Sequence, residues 1–298
     1  MAQVGRRLPQ NAAGDFFVDD TCIDCDTCRA LAPETFRDHG NQSSVHHQPA
    51  SADDRRRALR ALVACPTGSI GTVTHAPDVG DAVAAFPEPI ADDVFFCGFT
   101  SEKTFGGWSY LVRRSAERGG NVLVDSPRFT APLVRRIRAL GGIAVMLLTH
   151  KDDVGDHAAF ADEFGCIRVM HAADGAARLG AERIVDGMTP TRLDAELVAI
   201  PTPGHTRGHT VFLYRDTFLF AGDHVAWSPA RGTLIAWPDV CWYSWPEQIR
   251  SMERLRDHRF EWVLPGHGRI QHTPATEMRE HLDRCIATMQ RQRGRGTS

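Results

Sequence analysis

The chain has 298 residues, of which 42% are hydrophobic and 24% are charged, and its formal net charge is -3. This composition is typical of a globular protein with a sizeable core, and the length favours two domains or one large domain with an appendage. The near-neutral charge gives no electrostatic argument for nucleic acid or an anionic membrane as a partner. No apolar run approaches the ~20 residues of a membrane-spanning helix, and the N-terminus lacks the apolar region of a signal peptide, so we expect a cytoplasmic location.

Four of the eight cysteines form one pattern, in which Cys22, Cys25 and Cys28 are spaced by two residues and Cys65 follows before a proline. The two-residue gaps place three thiolates around one small loop, and a fourth thiolate from a distant segment completes the site. Thiolates are the ligands of iron–sulfur clusters, and Cys-Pro at the fourth position is a ferredoxin trait. Structural zinc is the competing interpretation, but it usually takes two Cys-x-x-Cys pairs. The pattern therefore predicts a [4Fe-4S] cluster.

The segments around these cysteines resemble single-cluster [4Fe-4S] bacterial ferredoxins over residues 15–73, in particular residues 31–36 after the triple and 64–70 around the last cysteine. Apolar residues at 58, 59, 62 and 63 predict a helix over residues 53–64. That helix fills the place that a second cluster occupies in two-cluster relatives. The resemblance implies a small α+β ferredoxin-like domain over residues 1–75, with one cluster bound by Cys22, Cys25, Cys28 and Cys65.

Residues 76–93 carry three prolines and no sustained period, which predicts a linker. In the C-terminal domain, residues 94–298, strand patterns alternate with amphipathic helical patterns. Strands are predicted at 94–99, 108–112, 121–125, 143–148, 167–171, 197–200, 211–214 and 217–220 and from 262, and helices at 131–140, 157–164, 246–256 and 274–290. The Arg/Gly/Ser-rich tail from Arg291 is predicted to be disordered.

Residues 143–148 are six consecutive apolar residues, which indicates a strand buried on both faces of a sheet. A buried strand that ends in imidazoles and carboxylates is a usual way to hold metal at the edge of an α/β sheet. The alternative is a solvated turn that caps a helix, and three further His/Asp motifs at later strand ends weigh against it. The residues directly after the strand are His150, Asp152, Asp153, Asp156 and His157, and the later motifs contain His205 with His209, Asp223 and His267.

Strand ends that carry His150, His205, Asp223 and His267 in this order resemble the metallo-β-lactamase superfamily. The resemblance implies an α/β fold, an αββα sandwich with a binuclear metal site at one edge. It further implies that His205 binds the first metal, that Asp223 bridges both metals, and that His267 binds the second. A carboxylate suits the bridging position because each of its oxygens can hold one dication of a pair roughly 3.5–4 Å apart. We expect His209 to support its loop by a hydrogen bond.

The first motif departs from the family pattern His-x-His-x-Asp-His. Asp152 stands in place of the second His, and the Asp156-His157 pair arrives two residues late. Asp152 and Asp153 therefore compete for one ligand position. If the loop does not absorb the insertion, Asp153 and His157 would lie one helical turn apart and would share one metal. The implied metal ligands are His150, Asp152, Asp156, His157, His205, Asp223 and His267, with Asp156, which orients a water, and Asp223 in catalytic roles.

A carboxylate in place of an imidazole favours iron or manganese over zinc. A similar exchange appears in the superfamily's di-iron branch, the flavodiiron reductases and the di-iron hydroxylases. The first hypothesis is therefore a di-iron oxidoreductase, in which an external donor reduces the cluster and electrons reach a binuclear non-haem iron site that acts on O2 or a small oxidised molecule. The second is a binuclear metallohydrolase similar to glyoxalase II or the lactonases, acting on a thioester or lactone beside a structural or regulatory cluster. A third is a redox sensor with an inert second site.

Residues 226–245 contain four tryptophans between the Gly-Asp motif and the next predicted helix, at positions 227, 237, 242 and 245. The functional interpretation is an aromatic wall for a small-molecule substrate, or a face that receives the ferredoxin domain. The alternative is a core contact or a homodimer contact. Cys97, Cys166, Cys241 and Cys285 have no paired spacing and are expected to be buried free thiols.

Overall fold

The structure is a computed structural model that describes residues 2–293. Its N-terminal domain has two small antiparallel sheets, in which the first strand pairs with the last and the two middle strands pair with each other. This is the small α+β domain that the sequence predicts. The elements are β1 (Phe16–Val18), α1 (Thr27–Leu31), β2 (Phe36–Asp38), β3 (Ser43–Val45), α2 (Ala52–Ala64) and β4 (Ile70–Thr72).

Helix α2 confirms the helix predicted over residues 53–64. It begins with a capping box, in which the Ser51 hydroxyl accepts from the Asp54 N–H and the Asp54 carboxylate accepts from the Ser51 N–H. Ala58, Leu59 and other residues of one face are buried in the core. The helix ends directly before Cys65, so its C-terminal end positions the fourth thiol of the predicted cluster.

The segment predicted as a linker, residues 76–93, contains regular secondary structure instead. It forms α3 (Val79–Ala84) and β5 (Glu88–Ala91), and β5 pairs antiparallel with β6 (Val94–Phe96). The linker prediction is therefore wrong for these residues. β5 is a short edge strand that contains a proline, so its sequence shows no apolar alternation. It is recognised as a strand because it pairs with β6.

β5 and β6 belong to a seven-stranded sheet. The further elements are β7 (Tyr110–Val112), β8 (Val122–Val124), α4 (Ala131–Ala139), β9 (Val145–Leu147), α5 (His157–Phe164), β10 (Ile167–His171) and β11 (Arg183–Val185). The strand order is β11-β10-β9-β8-β7-β6-β5. β5 to β8 are joined antiparallel, and β8 to β11 are parallel.

A second sheet has six strands in the order β12-β13-β14-β15-β18-β19. A separate hairpin, β16–β17, lies in the Trp-rich segment. Residues 291–293, where disorder was predicted, continue the last helix, and residues 294–298 lie outside the described part of the chain. The bounds are β12 (Thr191–Arg192), β13 (Leu197–Pro201), β14 (Thr210–Tyr214), β15 (Phe218–Gly222), β16 (Ala226–Ser228), β17 (Thr233–Ile235), α6 (Trp245–Arg254), β18 (Trp262–Pro265), β19 (Gln271–His272) and α7 (Ala275–Arg293).

Strand β14 shows how the layers are built, because its residues alternate between two cores. Phe212 and Tyr214 lie in the core that contains both sheets, α4 and α5, whereas Val211 and Leu213 pack with α6 and α7. The result is the αββα sandwich that the sequence predicts. Within residues 2–293, none of the helices has the length and apolar character that crossing a membrane requires. Of the four cysteines outside the cluster pattern, three are buried and Cys241 is half-buried.

Candidate metal centre and cysteine pocket

Four loops at one edge of the sandwich bring the predicted metal ligands together. His150 follows β9, His205 follows β13, Asp223 follows β15 and His267 follows β18. Together with Asp153 they form two groups that share Asp223, and within each group the ligand atoms lie within 4.8 Å of one another. A shared carboxylate is the arrangement of a two-metal site, because one side chain offers an oxygen to each ion.

The first group is built on two histidine rings and a bridging carboxylate. The Nε2 atoms of His150 and His205 each lie 3.7 Å from Oδ2 of Asp223. Asp152, which replaces the family's second His, lies at the rim of this group, with Oδ2 3.7 Å from His205 Nε2 and 40% of its side chain exposed. Its other oxygen accepts a hydrogen bond from Lys151. Asp152 therefore adds an oxygen donor beside the first group.

The second group contains Asp153, whereas Asp152 lies beside the first group, so the two residues do not compete for one position. Asp153 is only 2% exposed, and its carboxylate belongs to the group of Asp223 and His267. A Cβ atom on Gly107 would lie 2.9 Å from Asp153 Oδ1, and one on Gly266 would lie 2.7 Å from Asp153 Oδ2. These two glycines therefore leave the room that the Asp153 carboxylate occupies.

A hydrogen-bonded chain fixes the orientation of the His150 ring. The Thr149 hydroxyl lies 3.0 Å from His150 Nδ1 and donates to the buried Asp125 carboxylate, which also accepts from the Thr149 N–H. Because the hydroxyl proton goes to Asp125, the oxygen accepts from Nδ1–H, and Nε2 is left unprotonated toward Asp223. Sequence reasoning missed this support, although residues 121–125 were predicted as a strand ending in an Asp.

His209 supports the same loops, as the sequence predicts. Its Nδ1 lies 2.9 Å from the Thr202 hydroxyl, and its Nε2 accepts a hydrogen bond from the Asp223 N–H at 3.2 Å. The two ring nitrogens are therefore occupied by different loops, Nδ1 by the loop that carries His205 and Nε2 by the loop that carries Asp223. His209 therefore holds Asp223 in place, and neither of its ring nitrogens is left free for a metal.

Asp156 and His157 were predicted as metal ligands, and Asp156 also as the residue that orients a water, and the structure corrects these assignments. The Asp156 carboxylate binds Lys103 Nζ at 2.6 Å and accepts from the Phe129 N–H at 2.8 Å. The Nδ1 atom of His157 lies 3.2 Å from the Arg168 guanidinium, and neither residue belongs to either ligand group. The physical reason is the two-residue insertion: helix α5 begins at His157, so the pair is carried away from the site and Asp153 reaches the second group instead. The idea that Asp153 and His157 share one metal is wrong for the same reason.

Burial dominates the pKa values of two carboxylates of the site, those of Asp125 and Asp153. Burial raises the pKa of Asp125 to about 7 and, with help from Asp223, raises the pKa of Asp153 well above its usual value. Burial opposes a proton on His267, but the Asp223 carboxylate 2.8 Å away outweighs it and raises the pKa of His267 to about 10. A bound cation would supply the same positive charge that this proton supplies beside Asp223.

Orphaned ligand atoms show that the residues present fit a pair of metal ions. Within residues 2–293, four buried ligand atoms have no hydrogen-bond partner: His150 Nε2, His205 Nε2, Asp152 Oδ2 and Asp153 Oδ2. A buried polar atom without a partner costs about 1–3 kcal/mol, and more when it is charged. Cations held between the two groups would satisfy these atoms together.

The four predicted cluster cysteines line one pocket in the N-terminal domain. The backbone N–H of Ser43 donates to Cys22 Sγ at 3.4 Å, and burial raises the pKa of the Cys25 thiol to about 11. The loop that carries the first three thiols is tight, since Asp24 and Asp26 both have positive φ. Four convergent thiols, a donor to sulfur and an apolar surrounding are the features of an iron–sulfur site.

The cysteine pocket and the metal centre meet at a pair of glycines between β6 and β7. A Cβ atom on Gly106 would lie 2.9 Å from Cys25 Sγ, and one on Gly107 would lie 2.9 Å from Asp153 Oδ1. With the ~3.8 Å step between adjacent Cα atoms and two Cα–Cβ bonds of ~1.5 Å, these contacts keep Cys25 Sγ within about 13 Å of Asp153 Oδ1. We call residues 106 and 107 the glycine junction.

Hydrogen bonds and an ion pair hold the two domains together around this junction. Trp108 Nε1 donates to the Thr27 hydroxyl, which in turn donates to the Gly106 carbonyl, both at 3.3 Å. Arg269, two residues after the predicted ligand His267, makes an ion pair with Asp26 in the cysteine loop. The loops that carry the two sites are therefore in direct contact.

Known proteins match both domains of the chain. Residues 18–72 match the family model described as the 4Fe-4S single cluster domain of Ferredoxin I. The DIM-1 metallo-β-lactamase exposed to ceftazidime superposes with a TM-score of 0.51 and 21% identity, over 67% of this chain and 95% of its own. The chain thus joins a single-cluster ferredoxin domain to a domain with the metallo-β-lactamase fold.

Curated relatives match parts of the sequence. A hydroxyacylglutathione hydrolase of Acidiphilium cryptum (strain JF-5) is 38% identical over 125 residues, which cover 39% of this chain and 48% of that protein. A hydroxyacylglutathione hydrolase of Rhizobium etli is 29% identical over 141 residues, covering 46% and 52%, respectively. The uncharacterized protein YobT of Bacillus subtilis (strain 168) is 34% identical over 98 residues, covering 30% and 41%. The chain spans about half the length of these relatives, or less.

Proposed function

We propose that the chain is an iron–sulfur-containing redox enzyme. Cys22, Cys25, Cys28 and Cys65 would hold a [4Fe-4S] cluster, and the two ligand groups would hold a pair of iron ions that acts on O2 or a small oxidised molecule. The observation that carries the proposal is the glycine junction. Electron tunnelling falls steeply with distance, and this junction brings a cluster cysteine and a metal-ligand carboxylate to within about 13 Å.

The ligand set supports iron at the second site. Three of the six proposed ligand residues are carboxylates, and oxygen donors favour iron or manganese over zinc. When bound, the cluster supplies single electrons and the iron pair supplies the redox-active centre. The chain's own residues hold the site: Asp223 joins the two groups, Thr149 sets the tautomer of His150, and burial keeps water from Asp153.

The proposal requires two partners, an external one-electron donor for the cluster and a small-molecule substrate at the metal edge. A cytoplasmic location would suit both sites, since the reducing cytosol keeps thiols available as ligands.

Cluster reoxidation kinetics test the proposal. Protein reduced anaerobically with dithionite is mixed with O2 or with nitric oxide, and the cluster is followed by its visible absorbance. We expect fast reoxidation in the wild type and a rate at least tenfold slower in Asp153→Asn. Loss of a residue that only supports a ligand weakens metal binding by ~10–100-fold, and loss of the anionic ligand itself costs at least as much. Asp156→Asn is the matched control, since the same change is made outside both ligand groups. Equal rates in Asp153→Asn and the wild type would contradict the proposal.

A metallohydrolase is the second candidate function. The matches to hydroxyacylglutathione hydrolases favour it, since the matched segments reach 38% identity. In that case the metal pair would lower the pKa of a bound water, and the cluster would be structural or regulatory. Turnover of a hydroxyacylglutathione thioester by zinc-loaded protein, at a rate that does not depend on the redox state of the cluster, would favour this function over the redox one.

A further inference from the structure

Two large aromatic side chains are exposed beside the metal centre. Phe105 is 55% exposed and Trp242 is 63% exposed, which is unusual for rings of this size. The Phe105 ring lies 6.3 Å from the His267 ring, and the Trp242 ring lies 6.3 Å from the His205 ring. Each ligand group therefore has one exposed aromatic ring next to one of its histidines, Trp242 at His205 and Phe105 at His267.

Both rings are presented by backbone that is tied to the ligand loops. Phe105 has a φ of 52°, in the left-handed region that non-glycine residues rarely adopt, and its carbonyl lies 3.4 Å from His267 Nε2. The Trp242 N–H donates to the His205 carbonyl at 2.9 Å, and the Tyr243 N–H donates to the same carbonyl at 3.1 Å. A strained backbone persists only where the surrounding structure holds it, so the contacts of Phe105 with the His267 loop fix the position of its ring.

The other tryptophans of the Trp-rich segment do not face solvent in this way. Trp227 packs against the His281 ring at 4.8 Å, and Trp245 packs against the core beneath α6 and α7. The core interpretation of the segment therefore applies to these two residues. Trp237 is half-buried, and its ring edge lies 3.1 Å from the position of a Cβ on Gly268, the residue after His267. Trp242 is the exposed tryptophan of the segment, and its ring lies next to His205.

We propose that the metal centre takes a substrate whose reacting polar group is attached to a flat apolar or aromatic group. Phe105 and Trp242 would contact that group from the two ends of the centre while the polar group faces the ligand residues. The inference rests on the proposed role of the metal pair as the reacting centre. It narrows the proposed function to an organic substrate, which reacts at the centre on its own or together with O2.

A pair of hydroxamates tests the inference by binding rather than by turnover. Acetohydroxamate and benzohydroxamate carry the same metal-binding group and differ in a methyl or a phenyl substituent, and calorimetry of metal-loaded protein gives the ratio of their Kd values. We expect benzohydroxamate to bind at least about tenfold more tightly in the wild type, because each aromatic contact adds roughly 2–10-fold. In Phe105→Ala and in Trp242→Ala the ratio should fall several-fold while the acetohydroxamate Kd stays unchanged.

Two further variants separate the loss of an aromatic contact from effects on folding. Phe105→Leu keeps most of the apolar volume, so it should affect folding less, but it should still abolish most of the preference for benzohydroxamate. Ile184→Ala changes an exposed apolar residue on β11 and should leave the ratio of the two Kd values unchanged. A wild-type ratio near one, or a ratio that persists in both alanine variants, would overturn the proposal. If the Kd ratio fell in only one of the two alanine variants, the claim that both rings contact the substrate would be overturned. Because hydroxamates bind iron and zinc centres alike, these results are independent of whether the redox function holds.

Discussion

At the scale of single residues, the site depends on a few groups that place the ligands rather than bind metal. Thr149 is the clearest example, because its hydroxyl links the buried Asp125 carboxylate to Nδ1 of His150. Gly107 and Gly266 act by having no side chain where Asp153 lies. These residues determine which atoms face the metal positions.

Replacing Thr149 by valine tests the support of His150. The change keeps the shape but removes the hydroxyl, so Asp125 loses one donor and the His150 tautomer is no longer set. We expect ~10–100-fold weaker binding of one metal per chain, and a free energy of unfolding lower by about 1–3 kcal/mol. Metal titration and urea unfolding measure the two effects. Unchanged metal affinity in a folded Thr149→Val protein would contradict this role.

Replacing Gly107 by alanine tests the room left for Asp153. The added Cβ would lie 2.9 Å from Asp153 Oδ1, so we expect the carboxylate to move and one metal ion per chain to be lost. Gly80→Ala is the matched control, since nothing lies within 4 Å of its Cβ position and it lies inside helix α3. We expect the control to keep both metals and to gain about 0.5–1 kcal/mol of stability. Elemental analysis gives the metal content of each variant, and two metals per chain in Gly107→Ala would contradict the prediction.

Some residues of the site could be predicted from the sequence and others could not. His150, His205, Asp223 and His267 could be assigned because each follows a recognisable strand end. Asp156 and His157 could not be excluded, since the path of the loop after Asp153 depends on where α5 begins. Phe105 was missed because nothing in the local sequence distinguishes it from a core phenylalanine.

At the scale of elements, strands and helices with their own hydrophobic pattern could be predicted. The predicted bounds of α5 and β10 agree with the structure, and the turn between β14 and β15 at Arg215 and Asp216 adopts the positive φ that a tight hairpin needs. β5 was missed because Glu88–Ala91 becomes a strand only through pairing with β6. Tertiary pairing of this kind leaves no local signal.

Helix α2 offers a test at this scale. Ser51→Ala removes the hydroxyl of its capping box, and we expect a loss of about 1 kcal/mol in the stability of the helix. Amide hydrogen exchange over residues 52–64 should become faster, while exchange in α7 should not change. Because α2 ends before Cys65, we also expect faster loss of the cluster to an iron chelator. Equal exchange in α2 of both proteins would contradict the role of the cap.

At the scale of the whole molecule, the two domains form one unit. Buried residues of α2, such as Leu59, belong to the same core as both sheets, and Arg269 ties the His267 loop to the cysteine loop through Asp26. The sequence predicts both domains and suggests the Trp-rich segment as a face for the ferredoxin domain, but it does not predict the contact at the glycine junction. The junction arises where two separate loops meet, and neither loop carries a motif for the other.

The most direct test of the central claim is Mössbauer spectroscopy of protein labelled with iron-57 and purified anaerobically, before and after reduction with dithionite. We expect about six irons per chain, four in the cluster and two in a high-spin site with oxygen and nitrogen ligands, and both signals should change on reduction. Four irons with zinc in the second site, or an iron pair that stays oxidised while the cluster is reduced, would contradict electron delivery across the glycine junction.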